Sequence, residues 1–163
     1  MTSYDDFERT AGGAVLMDGN KLRDEIVAGI RAKIDSLGNP AVCLATVLVG
    51  ADKPSQIYVR NKHRKAEEAG MISRHVELAE DATQDDVENA VRDLAEDSGV
   101  HGILVQLPLP AGLDAERVPD LVPPEKDVDG LTERSMGRLV RGRVGHVPCT
   151  PLGVMRLIRS VRD

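Results

Sequence analysis

The segment QIYVRNKHRK, residues 56–65, contains a phenol and an amine whose spacing could serve catalysis. Tyr58 and Lys62 are four residues apart, so on a helix both side chains would extend from the same face. A lysine acts as a base or nucleophile only when it is deprotonated, which burial or neighbouring positive charge favours. Part of that charge could come from Arg60, His63, Arg64 and Lys65. Tyrosine and lysine at this spacing are also common on solvated helices, and the helix by itself favours that ordinary interpretation.

Gln106 is a second polar residue at a position where α/β proteins bind ligands. It lies near the carboxyl end of the apolar run GILVQL, just before a turn that contains Leu107 and Pro108. Ligands of open α/β sheets bind beyond the carboxyl ends of the strands. A buried amide needs hydrogen-bond partners, so Gln106 serves either a ligand or another site residue, or it caps the adjacent loop.

The loop KDVDG, residues 126–130, carries alternate aspartates. It lacks the further acidic ligands and the closing glutamate of a calcium loop, so we expect no metal there. We interpret it as a tight loop that holds a carboxylate for the amino and ring N–H groups of a ligand. A plain surface turn is the alternative.

Two other motifs are weaker. His146 and Cys149, in HVPCTP, suggest a nucleophile with its base, but no third group is available to orient them. Thr150-Pro151 has the pattern of a helix cap, so we interpret this segment as structural. No glycine-rich phosphate-binding motif follows a strand, and the strand exit VGADKP, residues 49–54, contains a single glycine.

Composition narrows the functional class. A net charge of −6 argues against a general nucleic-acid-binding protein, which needs a basic surface. No apolar run approaches the ~20 residues that a membrane span requires. The polar start MTSYDDFERTAGG predicts a disordered leader over residues 1–13 and a cytoplasmic protein. Cys43 and Cys149 are far apart in sequence, so we expect two reduced thiols.

Helical and strand-like patterns alternate along residues 14–163, which we expect to form one domain. The predicted strands cover residues 41–49, 74–78 and 100–107. We predict four helices. The first covers residues 20–37, the second contains Tyr58 and Lys62 and ends near Gly70, Thr83 and Asp86 cap the third, and the last begins at Thr150-Pro151. Between Leu107 and the last helix we expect loops. The alternation predicts an α/β fold, a three-layer sandwich with a mainly parallel sheet flanked by helices.

Four motifs occur in a fixed order along the chain. They are SQIYVRNK (55–62), GILVQLPLP (102–110), PEKDVDGL (124–131) and PCTPLG (148–153). Together they resemble the bifunctional methylenetetrahydrofolate dehydrogenase/methenyltetrahydrofolate cyclohydrolase family over about residues 14 to 160. The resemblance implies a folate-binding catalytic domain over residues 14–163.

The resemblance also implies roles for individual residues. Lys62 is the essential catalytic residue, which aids proton movement and water attack at the one-carbon bridge. Tyr58 stacks on or near the substrate and helps to position Lys62. Gln106 hydrogen-bonds Lys62 and tunes its protonation, and Asp129 binds the pterin ring. Further matches near the substrate site are Ser55, Leu107 and Pro108.

The family oxidises methylene-tetrahydrofolate to the methenyl form with NADP and hydrolyses that product to formyl-tetrahydrofolate. The resemblance therefore implies a tetrahydrofolate derivative as substrate, NADP as cofactor, no metal, and a homodimer for full-length members. It places NADP on a second, glycine-rich domain that this chain does not include. We therefore expect the isolated chain to lack dehydrogenase activity, with weak cyclohydrolase activity or folate binding remaining.

Two other interpretations stay open. One is a catalytically silent folate-binding or assembly module that needs a separately encoded partner. The other is a short-chain dehydrogenase, which also uses Tyr-x-x-x-Lys but carries phosphate-binding glycines early in the same domain, where this chain has none.

Overall fold

The computed structural model describes residues 8–161. Most of the predicted leader, residues 1–7 of 1–13, lies outside this range. Its described part, residues 8–13, belongs to a tight turn that is closed by an antiparallel bridge between Arg9 and Val15. The Leu16 amide closes this turn on the Glu8 carbonyl at 2.8 Å.

The sheet has three parallel strands, which confirms the predicted sheet type. They are β1 (Cys43–Val49), β2 (Ile72–Leu78) and β3 (Gly102–Val105), in the order β2-β1-β3. In the register, Val47 of β1 lies beside Val76 of β2 and Val105 of β3. The central position of β1 explains its unbroken apolar sequence, because both of its faces are covered.

Six helices complete the described part of the chain. They are α1 (Gly19–Ser36), α2 (Lys53–Glu68), α3 (Gln84–Glu96), α4 (Arg117–Asp120), α5 (Glu133–Val140) and α6 (Cys149–Arg159). The four predicted helices correspond to α1, α2, α3 and α6. The prediction of loops throughout the segment after Leu107 is wrong, since α4 and α5 lie there. α4 is a single turn. α5 has only two turns, and its apolar residues Met136, Leu139 and Val140 are exposed, so neither helix has the long buried stripe that identifies a helix from sequence.

Helices lie on both faces of the sheet, which confirms the three-layer arrangement. Alternate residues of β1, from Cys43 to Val49, join the main core with α3 and α4. The intervening residues face α2; one of them, Thr46, is fully buried and reaches a histidine of that helix. No helix within residues 8–161 combines the length and the apolar character needed to cross a membrane.

The predicted helix caps have mixed outcomes. Thr83 and Asp86 form the predicted capping box at the start of α3. The assignment of Thr150 as the cap of the last helix is wrong, because α6 already begins at Cys149 and Pro148 occupies the cap position. Pro151 still lies in the first turn, where a proline loses no hydrogen bond.

Candidate active site

Lys62 and Gln106 form the centre of the site. Lys62 Nζ donates a hydrogen bond to Gln106 Oε1 at 3.2 Å, across 44 residues of sequence. Gln106 Nε2 donates to the Leu107 carbonyl at 2.6 Å, so the amide is held with its oxygen towards the lysine. The Gln106 backbone amide donates to the Val47 carbonyl at 2.9 Å, which continues the β3 ladder. Gln106 therefore serves both roles that the sequence left open: it binds a site residue and the adjacent loop.

The acidic loop reaches this centre by pairing with β3. Ile103 and Asp127 form an isolated parallel bridge, and the Ile103 amide donates to the Lys126 carbonyl at 2.8 Å. The Lys126 ammonium donates to the carbonyls of Ala95 and Asp97, each at 2.8 Å, at the end of α3. The loop is thus tied to the sheet and to a helix terminus, and it is not a plain surface turn.

Asp127 organises the loop. It is 4% exposed and accepts hydrogen bonds from the Gly130 amide at 2.9 Å and from the Thr132 amide and hydroxyl at 3.1 and 2.8 Å. Burial disfavours its charge, but the donors of the loop outweigh burial and lower its pKa. An ionised, fully used carboxylate of this kind is a structural element, a role that the alternate spacing alone did not reveal.

Asp129, two residues later, has a different environment. It is half-buried, and burial raises its pKa; the nearby Asp127 carboxylate acts in the same direction, whereas Lys62 opposes both. Asp129 makes no hydrogen bond to other residues of the described range 8–161. Its carboxylate is therefore available to a ligand and lies within electrostatic reach of Lys62.

Cys149 lies beside the same groups, which the sequence analysis missed. Its thiol donates to the Val128 carbonyl at 3.3 Å, and its pKa is raised by burial and by Asp129. His146 contacts the Glu125 carbonyl at 3.4 Å instead, so the two residues do not form a nucleophile–base pair, as we expected. In the sequence, only the presence of Cys149 in the fourth motif, PCTPLG, indicated that it lies near the site.

Gly130 allows the segment before α6 to approach the loop. Its φ is +66°, and an added Cβ would lie 2.8 Å from the Val147 carbonyl carbon and 2.9 Å from the Pro148 nitrogen. Backbone atoms on both sides leave little room for adjustment, so this contact requires a glycine.

We expect Gly130→Ala to lower the free energy of unfolding by about 1–3 kcal/mol, through backbone strain and the clash with residues 147–148. Urea denaturation measures the change. Gly112→Ala is the matched control for strain alone, because Gly112 has φ +97° but meets nothing within 4 Å. Equal losses in the two variants would contradict the proposed close packing.

A comparison with known families accounts for this combination of residues. The tetrahydrofolate dehydrogenase/cyclohydrolase catalytic domain matches residues 17–129. The chain belongs to this family. The segment with Cys149 follows the matched region.

Curated relatives extend the similarity beyond the family match. The bifunctional protein FolD of Wolbachia pipientis subsp. Culex pipiens is 43% identical over 154 residues, which cover 92% of this chain and 52% of that protein. FolD of Maricaulis maris is 49% identical over 148 residues, which cover 88% of this chain and 49% of that protein. The chain thus spans about half the length of these relatives.

Solved structures of the family share the fold. The FolD methylenetetrahydrofolate dehydrogenase/cyclohydrolase from Campylobacter jejuni superposes with a TM-score of 0.86 at 38% identity, covering 91% of this chain and 54% of that one. The Trypanosoma brucei enzyme, complexed with NADP cofactor and inhibitor, gives a TM-score of 0.87 at 35% identity, covering 92% and 52%.

The other residues that the family resemblance implies occupy different environments. Tyr58 is 64% exposed, one turn before Lys62, so its ring is open for stacking. Leu107, joined to Pro108 by a cis peptide bond, is 36% exposed beside Gln106. Ser55 is 3% exposed, and its amide donates to Asp52 Oδ2 at 2.9 Å in the cap of α2. The structure therefore assigns Ser55 a capping contact and gives it no open ligand-facing surface.

The expected positive field around Lys62 is largely compensated. Arg64 and Lys65 both form ion pairs with Glu68, and Lys65 also lies 3.7 Å from Asp24. His63 faces the sheet. The interpretation that these neighbours act on Lys62 is thus unsupported, and its partners are Gln106 and Asp129. Among residues 8–161, no group of three or more His, Cys, Asp or Glu side chains could hold a metal ion.

Proposed function

We propose that this chain binds a tetrahydrofolate derivative and contributes the residues that act on its one-carbon bridge. The reactions are the oxidation of methylene-tetrahydrofolate and the hydrolysis of methenyl-tetrahydrofolate to formyl-tetrahydrofolate. The observation that carries the proposal is the convergence of the Lys62–Gln106 hydrogen bond with the unpaired, half-buried carboxylate of Asp129. Family membership supports it.

Asp129 would orient the substrate. The edge of a pterin ring presents an amino group and a ring N–H side by side, and a carboxylate accepts two such hydrogen bonds together. Half-burial strengthens these bonds, because less water competes for the oxygens. Tyr58, one turn from Lys62 and open on its face, would stack on the ring system next to the pterin.

Lys62 would move the proton during hydrolysis. The methenyl carbon is bonded to two nitrogens that share a positive charge, so water can attack it without a metal or a protein nucleophile. As the new C–O bond forms, the attacking water loses a proton, which Lys62 can accept as the amine. One C–N bond then breaks, its nitrogen receives a proton, and the carbon remains as a formyl group. The hydrogen bond from Lys62 to Gln106 would hold Nζ in position for this step.

Gly50 and the starts of α2 and α3 do not fit the phosphates of NADP. Gly50, at the exit of β1, has its Cβ position 3.3 Å from Pro110 and 3.6 Å from Glu80, so no cradle is open there. The start of α2 is occupied by the Asp52 carboxylate, and the start of α3 by the Thr83–Asp86 box. Anionic caps repel a phosphate from sites that helix dipoles would otherwise favour. We propose that residues outside this chain bind NADP.

The test is to titrate the purified chain with a tetrahydrofolate analogue and to measure methenyl-tetrahydrofolate hydrolysis, corrected for the uncatalysed rate. Saturable binding with turnover supports the proposal, whereas an absence of binding overturns it. Binding without turnover supports the silent folate-binding module. NADP-dependent oxidation of methylene-tetrahydrofolate by residues 1–163 alone would contradict the proposed location of the cofactor site. Homodimer formation and a cytoplasmic location stay predictions.

A further inference from the structure

Five polar side chains form a continuous hydrogen-bonded chain between α2 and the sheet. We call this set the histidine chain: Ser73, His63, Thr46, His75 and Glu77. The Thr46 hydroxyl lies 2.7 Å from His63 Nε2 and 3.0 Å from His75 Nδ1. His63 Nδ1 is hydrogen-bonded to the Ser73 hydroxyl, and His75 Nε2 lies 2.7 Å from Glu77 Oε1. None of these residues belongs to the proposed catalytic set.

The chain of bonds has one consistent direction when both imidazoles are neutral. An ionised Glu77 only accepts, so His75 must carry its proton on Nε2. His75 Nδ1 then accepts from the Thr46 hydroxyl, whose oxygen must in turn accept from His63 Nε2–H. His63 Nδ1 is left to accept from the Ser73 hydroxyl. Every donor has an acceptor, and both histidines are assigned the Nε2–H tautomer.

One added proton reverses this direction without breaking the chain. With the added proton on His75, both of its ring nitrogens carry N–H, and Nε2 keeps its contact with Glu77. His75 Nδ1–H would then donate to the Thr46 oxygen, and the Thr46 hydroxyl would turn to donate to His63 Nε2. His63 would carry its proton on Nδ1 and donate to Ser73. A single proton therefore switches the tautomer of His63.

A second proton cannot be accommodated. Both imidazoles would then direct N–H donors at the Thr46 oxygen, and the Thr46 hydroxyl, at 0% exposure, would lose its acceptor. The two ring centroids are only 4.9 Å apart, so two cations would also repel one another. Burial lowers the pKa of His63, the proximity of His75 adds to this, and Glu67 partly opposes both.

The surroundings of the histidine chain contain few other charges. A cavity of about 380 Å³ beside it is lined by Arg60 and Gln56 of α2 and by Glu77 of β2. β1 contributes no charged residue, and Glu67 is the acid of α2 that acts on His63. The charged side chains that line this cavity or act on His63 are therefore Glu77, Arg60 and Glu67.

We propose that His63 is a positioning residue for Lys62, because its hydrogen bond to Thr46 anchors α2 to the sheet. The histidine chain that contains this bond accommodates one added proton but not two. The proposal rests on the proposed function of Lys62. His63 follows Lys62 directly, so its hydrogen bond to the buried centre of β1 sets the rotation of this helical turn. That rotation determines whether Lys62 Nζ meets Gln106.

Nitrogen-15 NMR of histidine-labelled protein tests the proton assignment without any enzyme assay. At pH 8 we expect both His63 and His75 as Nε2–H tautomers. On acidification, one proton taken up by the pair should convert His63 to Nδ1–H. His101, whose Nδ1 accepts from the Cys43 amide, serves as an internal reference outside the histidine chain. An Nδ1–H tautomer of His63 at pH 8, or titration of His75 with no change at His63, would overturn the assignment.

Thr46→Val and Thr46→Ser form a matched pair that tests positioning. Valine keeps the shape of threonine but breaks the histidine chain, whereas serine keeps the hydroxyl. We expect Thr46→Val to lower kcat of methenyl-tetrahydrofolate hydrolysis by about 10- to 100-fold, with a small change in KM, because a misplaced Lys62 affects the transition state more than binding. Thr46→Ser should retain most of kcat. An unchanged kcat in Thr46→Val would overturn the proposal.

A chemical readout separates this proposal from the proposed function. The acetylation rate of Lys62 relative to Lys65, measured by mass spectrometry, reports the position of Lys62 even if the chain has no turnover. We expect this ratio of acetylation rates to differ from the wild-type value in Thr46→Val and to equal it in Thr46→Ser. Val91→Ala, on the opposite face of the sheet, controls for a general loss of stability and should leave the ratio unchanged. An equal change in Val91→Ala would show that Thr46 acts through stability alone.

Discussion

Lys62→Ala is expected to remove methenyl-tetrahydrofolate hydrolysis by this chain while leaving folate binding in place. Loss of a positioned acid–base group lowers turnover by about 100- to 10,000-fold. Lys62 is half-buried and its Nζ is held by Gln106 at 3.2 Å, so its replacement removes the amine that we propose acts on the substrate. Because the pterin contacts are assigned to Asp129, the affinity for a folate analogue should change little.

Hydrolysis is followed by the loss of methenyl absorbance, and binding by titration calorimetry with the same protein. Lys65→Ala is the matched control: it lies on the same helix, but its ammonium pairs with Glu68 and Asp24. We expect Lys65→Ala to retain wild-type turnover. If Lys62→Ala hydrolysed the substrate at the wild-type rate, the assignment of Lys62 would be wrong.

Asp129→Asn is expected to weaken folate binding without weakening the fold. Hydrogen bonds to a charged group contribute about 1.5–3 kcal/mol each, and an amide cannot accept both pterin bonds, so the expected loss is about 10- to 100-fold in affinity. Burial raises the pKa of Asp129 in the folded chain, so its ionised form at neutral pH costs stability. Removal of the charge should leave the melting temperature unchanged or raise it.

The pH dependence of binding provides a second measurement of the same residue. Binding needs the carboxylate, so the affinity of the wild type should fall as the pH falls through the pKa of Asp129, which lies above the ordinary value of 3.8. In Asp129→Asn this part of the profile should disappear. Glu125→Gln, an exposed acid in the same loop, is the control and should bind as the wild type does. An unchanged affinity in Asp129→Asn would exclude it as the pterin ligand.

Local patterns in the sequence were sufficient for the sheet, four of the helices and the order of motifs. Apolar runs identified β1 and β3, because a central parallel strand is covered on both faces. Helical spacing identified α1 and α3; the apolar stripe of α3 is buried, whereas in α1 only Ile34 is buried. The short helices α4 and α5 were not predicted, because one or two turns are too short for a repeated apolar pattern.

The sequence by itself also determined which residue types were candidates: Lys62, Gln106 and Asp129 came from motifs read in order. Only the tertiary structure decided how they are used. The bridge between Ile103 and Asp127 brings the acidic loop to β3. In this arrangement the Asp127 carboxylate accepts hydrogen bonds from the loop, whereas the Asp129 carboxylate stays available to a ligand.

The contacts of Cys149 and His63 were beyond local patterns for the same reason. Cys149 meets the site because Gly130 lets two backbone segments touch, and His63 faces Thr46 rather than Lys62's partners because of its angle on α2. These relations join residues far apart in sequence through the order of strands in the sheet. A periodic pattern in the sequence predicts which face of a helix or strand a residue occupies. The residues that it contacts on that face are determined only by how the helices pack on the sheet.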